Sequence, residues 1–181
     1  GATPLFIAAQ NGDTQMVKLL VGLGAGVNQP RKDGATPVFI AAQNGDMPMV
    51  ELLVGYRVNI NEYCAGGATP MLIAAQKRNT PMVELLVRLG ADVNKADKDG
   101  ATPLFIAAYN ANMPVVKLLV GLRADVNIPA PDGTTPLFFA AQNGRMPMVK
   151  LFIERGADVN KARTDGTTPI LIAAQNGDMT L

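Results

Sequence analysis

The chain has 181 residues, 48% of them hydrophobic and 17% charged, with a formal net charge of +1. This balance suits a folded protein rather than a disordered one and lacks the basic excess of a nucleic-acid binder. With no histidine and one cysteine, Cys64, the commonest general base and metal ligand is missing, an internal disulfide is impossible, and the lone thiol cannot build a zinc site.

The first predicted element opens at Thr3-Pro4, and the same pair returns at Thr36, Thr69, Thr102, Thr135 and Thr168, always 33 residues on. A fixed period in this range marks a repeat architecture. Five full units follow, 1–33, 34–66, 67–99, 100–132 and 133–165, and a partial one, 166–181.

Each unit reads as helix, turn, helix, loop. In the second, Thr36 is a good N-cap and Pro37 occupies the first helical position, where a missing N–H costs nothing. Val38 to Gln43 is short and apolar, and Asn44-Gly45 ends it. Asp46 caps a second helix whose Met49, Val50, Leu52, Leu53 and Val54 make it apolar nearly all round. Such a helix must be buried all round. One unit has nothing to bury it with, so its neighbours must. The second helix ends in Gly24, Gly90 or Gly156, but in Arg57 and Arg123 in two units. A non-glycine residue held left-handed costs about 1–2 kcal/mol, so either that turn changes shape or the stack absorbs the cost. Tips such as Lys98-Asp99-Gly100 predict a β-hairpin finger between units.

The motifs Thr-Pro-Leu-x-x-Ala-Ala at 3–9 and Gly-Ala-Asp-Val-Asn at 90–94 and 156–160, on a 33-residue period, resemble the ankyrin repeat family over the whole chain. The resemblance implies an all-α solenoid of antiparallel helix pairs linked by β-hairpin fingers. It also implies protein–protein binding through the finger tips and the inner face of the first helices, in an intracellular, cytoplasmic setting. Two departures run through the copies. The His that the family carries after Thr-Pro-Leu is Phe6, Phe39, Leu72, Phe105, Phe138 or Leu171, which should exchange a polar link between repeats for apolar packing. The His before the second helix is Asp13, Asp46, Asn79, Asn112, Arg145 or Asp178, and all but Arg145 can still cap that helix.

Where the units differ from one another, surface positions are expected. Differences gather at the finger tips (Tyr63-Cys64-Ala65-Gly66 is one), at the ends of the first helices, and at the turn Lys77-Arg78-Asn79. The expected partner contacts are the aromatic departures Tyr63 and Tyr109, with Lys77 and the basic tips Arg31, Lys32, Lys98 and Arg163 steering an acidic partner. The glutamines at 10, 43, 76, 142 and 175 form a row, and Asn28, Asn94, Asn127 and Asn160 are expected to stabilise their own turns. Recurrent Asp33, Asp99, Asp132 and Asp165 read as turn residues, not an acid–base pair.

The sequence therefore predicts no enzyme, no cofactor, no metal, no nucleic-acid partner and no membrane span. It predicts an interaction module that docks a protein. The alternatives are a structural subunit bracing a large assembly and a targeting arm of a larger enzyme or channel. The first and last units lack polar outer faces. The chain is accordingly expected to be one repeat domain within a longer protein, its ends covered by further repeats or by a partner subunit.

Overall fold

A computed structural model describes residues 1–64 and 66–176. The described residues form eleven helices and no strand. The first helices of successive units are α1 (Pro4–Gln10), α3 (Pro37–Asn44), α5 (Pro70–Gln76), α7 (Pro103–Tyr109), α9 (Pro136–Gln142) and α11 (Pro169–Gln175). The second helices are α2 (Thr14–Gly22), α4 (Met47–Gly55), α6 (Thr80–Arg88), α8 (Met113–Gly121) and α10 (Met146–Glu154). No described helix is long and apolar enough to cross a membrane.

The caps are those the residue types dictate. The Thr36 hydroxyl accepts the Phe39 N–H at 3.3 Å, and the Asp46 carboxylate accepts the Met49 N–H at 3.0 Å. Equivalent bonds recur at each described cap except Arg145, which has none. The cap expected of Asp178 lies outside the described residues, as does Ala65 at the second finger tip.

Each helix pair packs on its own partner and on the next pair, and contacts run between neighbours along the row. Successive first helices pack on one another all along the row, from α1 to α11. Burial comes from the neighbours, as two matched sets of side chains demonstrate. Ile7, with no described unit before it, is 47% exposed, whereas Ile40 and Ile73 are each 6% exposed. Met16 is 42% exposed and its counterparts Met49 and Met82 are fully buried. Full burial of such a side chain stabilises by about 1.5–3 kcal/mol. At the position where the family carries His, Phe6, Phe39, Leu72 and Phe138 are buried, as apolar packing between repeats requires. Leu171, with no described unit after it, is exposed.

The turn after the second helix keeps its left-handed shape whether or not glycine supplies it. Gly90 has φ 91°, and Arg57 and Arg123 have φ 62° and 63°. The stack thus absorbs the steric cost at both arginines.

The fingers are loops rather than the expected β-hairpins. Backbone bonds close each tip, such as Asp97 N–H to the Ala101 carbonyl at 3.0 Å and Gly100 N–H to the Asp97 carbonyl at 3.1 Å. The reciprocal N–H, which a hairpin would pair with a carbonyl, goes instead to an aspartate side chain. Ala101 N–H donates to Asp97 Oδ1 at 2.8 Å, and Thr134 N–H to Asp132 Oδ1 at 2.9 Å. In these fingers the carboxylate takes the N–H that a second rung of the ladder would use.

The asparagines closing Val-Asn tie one unit to the next rather than only their own turn. Asn94 Oδ1 accepts the Asp125 N–H at 2.8 Å, and Asn127 Oδ1 accepts the Asp158 N–H at 2.8 Å. Asn127 Nδ2 also donates to the Gly156 carbonyl at 3.0 Å.

Candidate functional site

A groove runs between the first helices and the loops. One described stretch of it is a hollow of about 490 Å³ between the fourth and fifth units. The floor is aromatic. Phe105 and Tyr109 stand four residues apart in α7, which puts them on one face of the helix. Phe139 of α9 meets both, with ring centroids 6.0 Å from Phe105 and 5.1 Å from Tyr109. Tyr109 is nevertheless 58% exposed. It replaces the glutamine found at this position in the other units.

Arg145 explains why α10 lacks a side-chain cap. Instead of reaching forward, it reaches back to the end of α7. It donates to the Ala108 carbonyl and, at 3.0 Å, to the Tyr109 carbonyl. Its guanidinium lies 5.1 Å from the Phe139 ring centroid. A cation at a helix C-terminus and over an aromatic face is favourable on both counts. The first turn of α10 closes instead through Met148 N–H to the Arg145 carbonyl, 2.9 Å.

The opposite wall is the loop carrying Ala130, Pro131, Asp132 and Thr134, with Arg163 from the following loop. Asp132 Oδ2 accepts the Thr134 hydroxyl at 2.7 Å and Arg163 at 2.9 Å. These bonds hold the Asp132 carboxyl below its ordinary range, the Thr134 hydroxyl contributing most. Arg163 also faces Asp165 at 3.4 Å and lies 5.1 Å from the Phe138 ring centroid. Its charge is therefore already shared between two carboxylates.

Of the residues singled out in the sequence, Tyr109 and Arg163 line this one hollow. Lys77 is exposed at the end of α5. Its neighbour Arg78 donates to the Asn110 carbonyl at 2.9 Å, next to Tyr109. The others lie elsewhere. The Tyr63 hydroxyl donates to the Ala96 carbonyl at 3.0 Å, and Lys95 Nζ stands 4.7 Å from its ring centroid, so Tyr63 packs on the next loop. Arg31 pairs with Asp33 and lies 4.8 Å from the Phe6 ring centroid. The Arg31 hydrogen bonds lower the Asp33 carboxyl to about 2. Lys32 and Lys98 are exposed tips, and the Lys98 stem lies close over Gly67.

Phe105, Phe139, Arg78 and Arg145 were not singled out as contacts. Phe139 had a visible signal, since the matching position in the other units is always isoleucine: Ile7, Ile40, Ile73, Ile106 and Ile172.

The sequence profile of ankyrin repeats matches the chain in three overlapping copies, at residues 5–97, 38–130 and 104–180. The chain belongs to the ankyrin repeat family. Ankyrin repeats are in general protein–protein interaction modules, and the all-helical row described above is the solenoid expected of them. A comparison with curated proteins found no match. The aromatic hollow is thus a local departure within an ankyrin repeat groove, built where Tyr109, Phe139 and Arg145 replace the glutamine, isoleucine and capping residue of the other units.

Proposed function

We propose that this ankyrin repeat chain is a non-enzymatic docking module that holds a protein partner in the groove, with the hollow between the fourth and fifth units as its main contact. The observation that carries this reading is Tyr109, an aromatic ring left largely in solvent on an aromatic floor. Large amphipathic rings in a partly desolvated hollow are the usual anchors of interface energy. The Asp132–Arg163 pair fixes the facing wall, so the hollow is pre-formed and little ordering is needed on binding.

The test is affinity capture from a native extract with mass spectrometry, run in parallel on the wild type, Tyr109→Ala, and a Lys117→Ala, Lys150→Ala double variant on the outer helices. A partner lost with Tyr109→Ala and kept with the outer-face variant supports groove docking. The reverse pattern supports the bracing role, in which the backs of the second helices carry the contacts.

A further inference from the structure

We infer that the groove takes an extended, acidic peptide segment with two apolar anchors about three residues apart, a reading that rests on the docking function proposed above. The anchors come from a second hollow. One unit before the aromatic one lies a smaller cavity of about 210 Å³, lined by Leu72, Gln76, Asp97 and Ile106 among others. These occupy the same repeat positions as Phe105, Tyr109, Ala130 and Phe139 in the larger hollow. The two cavities are therefore one feature repeated at the spacing of packed helices, about 8–10 Å. An extended chain of the left-handed polyproline II type advances about 3.1 Å per residue and turns once in about three residues, so anchors three residues apart lie on one face of the peptide, about 9 Å apart, and meet both hollows.

The acidic character follows from the rim. Lys77, Arg78 and Arg145 stand at the ends of the first helices, beside Gln76 and Tyr109, which line the two cavities. Among the described residues, none of these three cations is in an ion pair with a carboxylate. Each arginine uses part of its guanidinium on a carbonyl at the end of α7 and retains further N–H groups. The first two units carry Asn11-Gly12-Asp13 and Asn44-Gly45-Asp46 at the same positions, so the positive rim is confined to the third to fifth units. On the loop side Arg163 is matched by Asp132 and Asp165. Carboxylates of the peptide therefore face the helix-end rim and not the finger loops. Guanidinium–carboxylate bonds are strong enough to set that choice.

The experiment pans a random dodecapeptide display library on the whole chain and measures enriched sequences as fluorescein-labelled peptides by polarisation. The key variant is Lys77→Asn with Arg78→Gly, which restores the Asn-Gly of the first, second and fifth units and so preserves the turn; a thermal melt checks its fold. Expected are peptides with paired apolar residues and neighbouring Asp or Glu. Their affinity should fall at least tenfold in that variant, at least tenfold in Tyr109→Gln, and steeply between 50 mM and 500 mM salt. Peptides that need Tyr109 but are basic or neutral, or acidic peptides indifferent to the double variant, overturn the inference and leave groove docking standing. Peptides indifferent to both Tyr109→Gln and Phe139→Ile overturn both. Failure of any sequence to enrich overturns the peptide inference alone, since a folded partner can still dock.

Discussion

Tyr109 rests against Phe139 of the following repeat, ring planes inclined by 32° and centroids 5.1 Å apart. The contact joins two units by a side chain that each of the other units lacks. Aromatic pairs of this kind contribute about 0.5–1.5 kcal/mol beyond the area they bury. Tyr109→Gln, which restores the residue of the neighbouring units, should therefore destabilise by about 1 kcal/mol in urea unfolding. Its effect on partner capture should be far larger. A loss of stability large enough to explain the loss of binding would place Tyr109 in the core rather than at the interface.

Three arginines, Arg57, Arg78 and Arg123, hold a left-handed conformation that glycine supplies in other units. Relief of the left-handed strain at Arg123, about 1–2 kcal/mol, is partly offset by the greater freedom of glycine in the unfolded chain, about 0.4–1 kcal/mol. Arg123→Gly should thus stabilise by about 0.5–1 kcal/mol, and Arg57→Gly by a similar amount. The converse change, Gly90→Arg, should destabilise. Denaturation midpoints of the three variants decide it, and a destabilised Arg123→Gly would show that the arginine side chain contributes more than its backbone costs.

The asparagine ladder predicts unequal costs for one residue type. Asn94→Ala leaves the Asp125 N–H without its acceptor, worth about 1 kcal/mol. Asn127→Ala removes two bonds to the next unit and should cost more, about 1–2 kcal/mol by the same scale. Amide exchange at Asp125 and Asp158 should accelerate in the respective variants. Unchanged exchange would mean that water replaces the asparagine without loss.

The loop carboxylates predict a pH dependence with a definite sign. Asp132 titrates below its ordinary value of 3.8 when folded, because the Thr134 hydroxyl, then the Thr134 N–H and Arg163, favour the ionised form. A carboxyl with a depressed folded pKa adds stability that is present above about pH 4 and is lost as pH falls through the folded value. In an NMR titration Thr134→Val should raise the Asp132 midpoint more than Arg163→Ala does. Asp33 should titrate near 2 and return toward 3.8 in Arg31→Ala. An Asp33 midpoint indifferent to Arg31 would show that the pair does not persist in solution.

Much of this was legible in the residues. Thr36-Pro37 and Asn44-Gly45 bound α3 by local chemistry, and the same signals set the other first helices. Two features that were not legible depend on residues 31 to 37 positions apart. Arg145 could be seen to lack capping chemistry, but not that it would turn back to the carbonyls at Ala108 and Tyr109. Asn94 was expected to serve its own turn, because nothing local reveals that Asp125 N–H lies beside it. The fingers were expected as hairpins because Asp99-Gly100 is a hairpin signal. Aspartate side chains compete for the same N–H groups, and in the fingers that carry one it takes that N–H. At the site, Phe139 stands at a position held by isoleucine in every other unit, and an apolar residue there gave no sign that it would line the hollow.

The burial of each unit by its neighbour makes the final prediction. Ile7 and Ile40 occupy the same position in successive units, and in this chain Ile7 has no described helix pair packed in front of it whereas Ile40 does. Truncating a buried isoleucine to alanine costs about 2–5 kcal/mol through lost transfer energy and the cavity left behind. A half-exposed one loses less transfer energy and leaves no closed cavity. Ile40→Ala should therefore cost several-fold more than Ile7→Ala, about 2–5 against roughly 1 kcal/mol. Repeat arrays need not unfold in a single step, so the comparison is best made by hydrogen exchange at α3 and α1 as well as by urea titration. In Ile40→Ala, protection should fall in α1, α3 and α5, which pack on one another, and be retained in α9. Equal costs at the two positions, or loss of protection spread evenly from α1 to α11, would mean that the units are held by something other than their nearest neighbours.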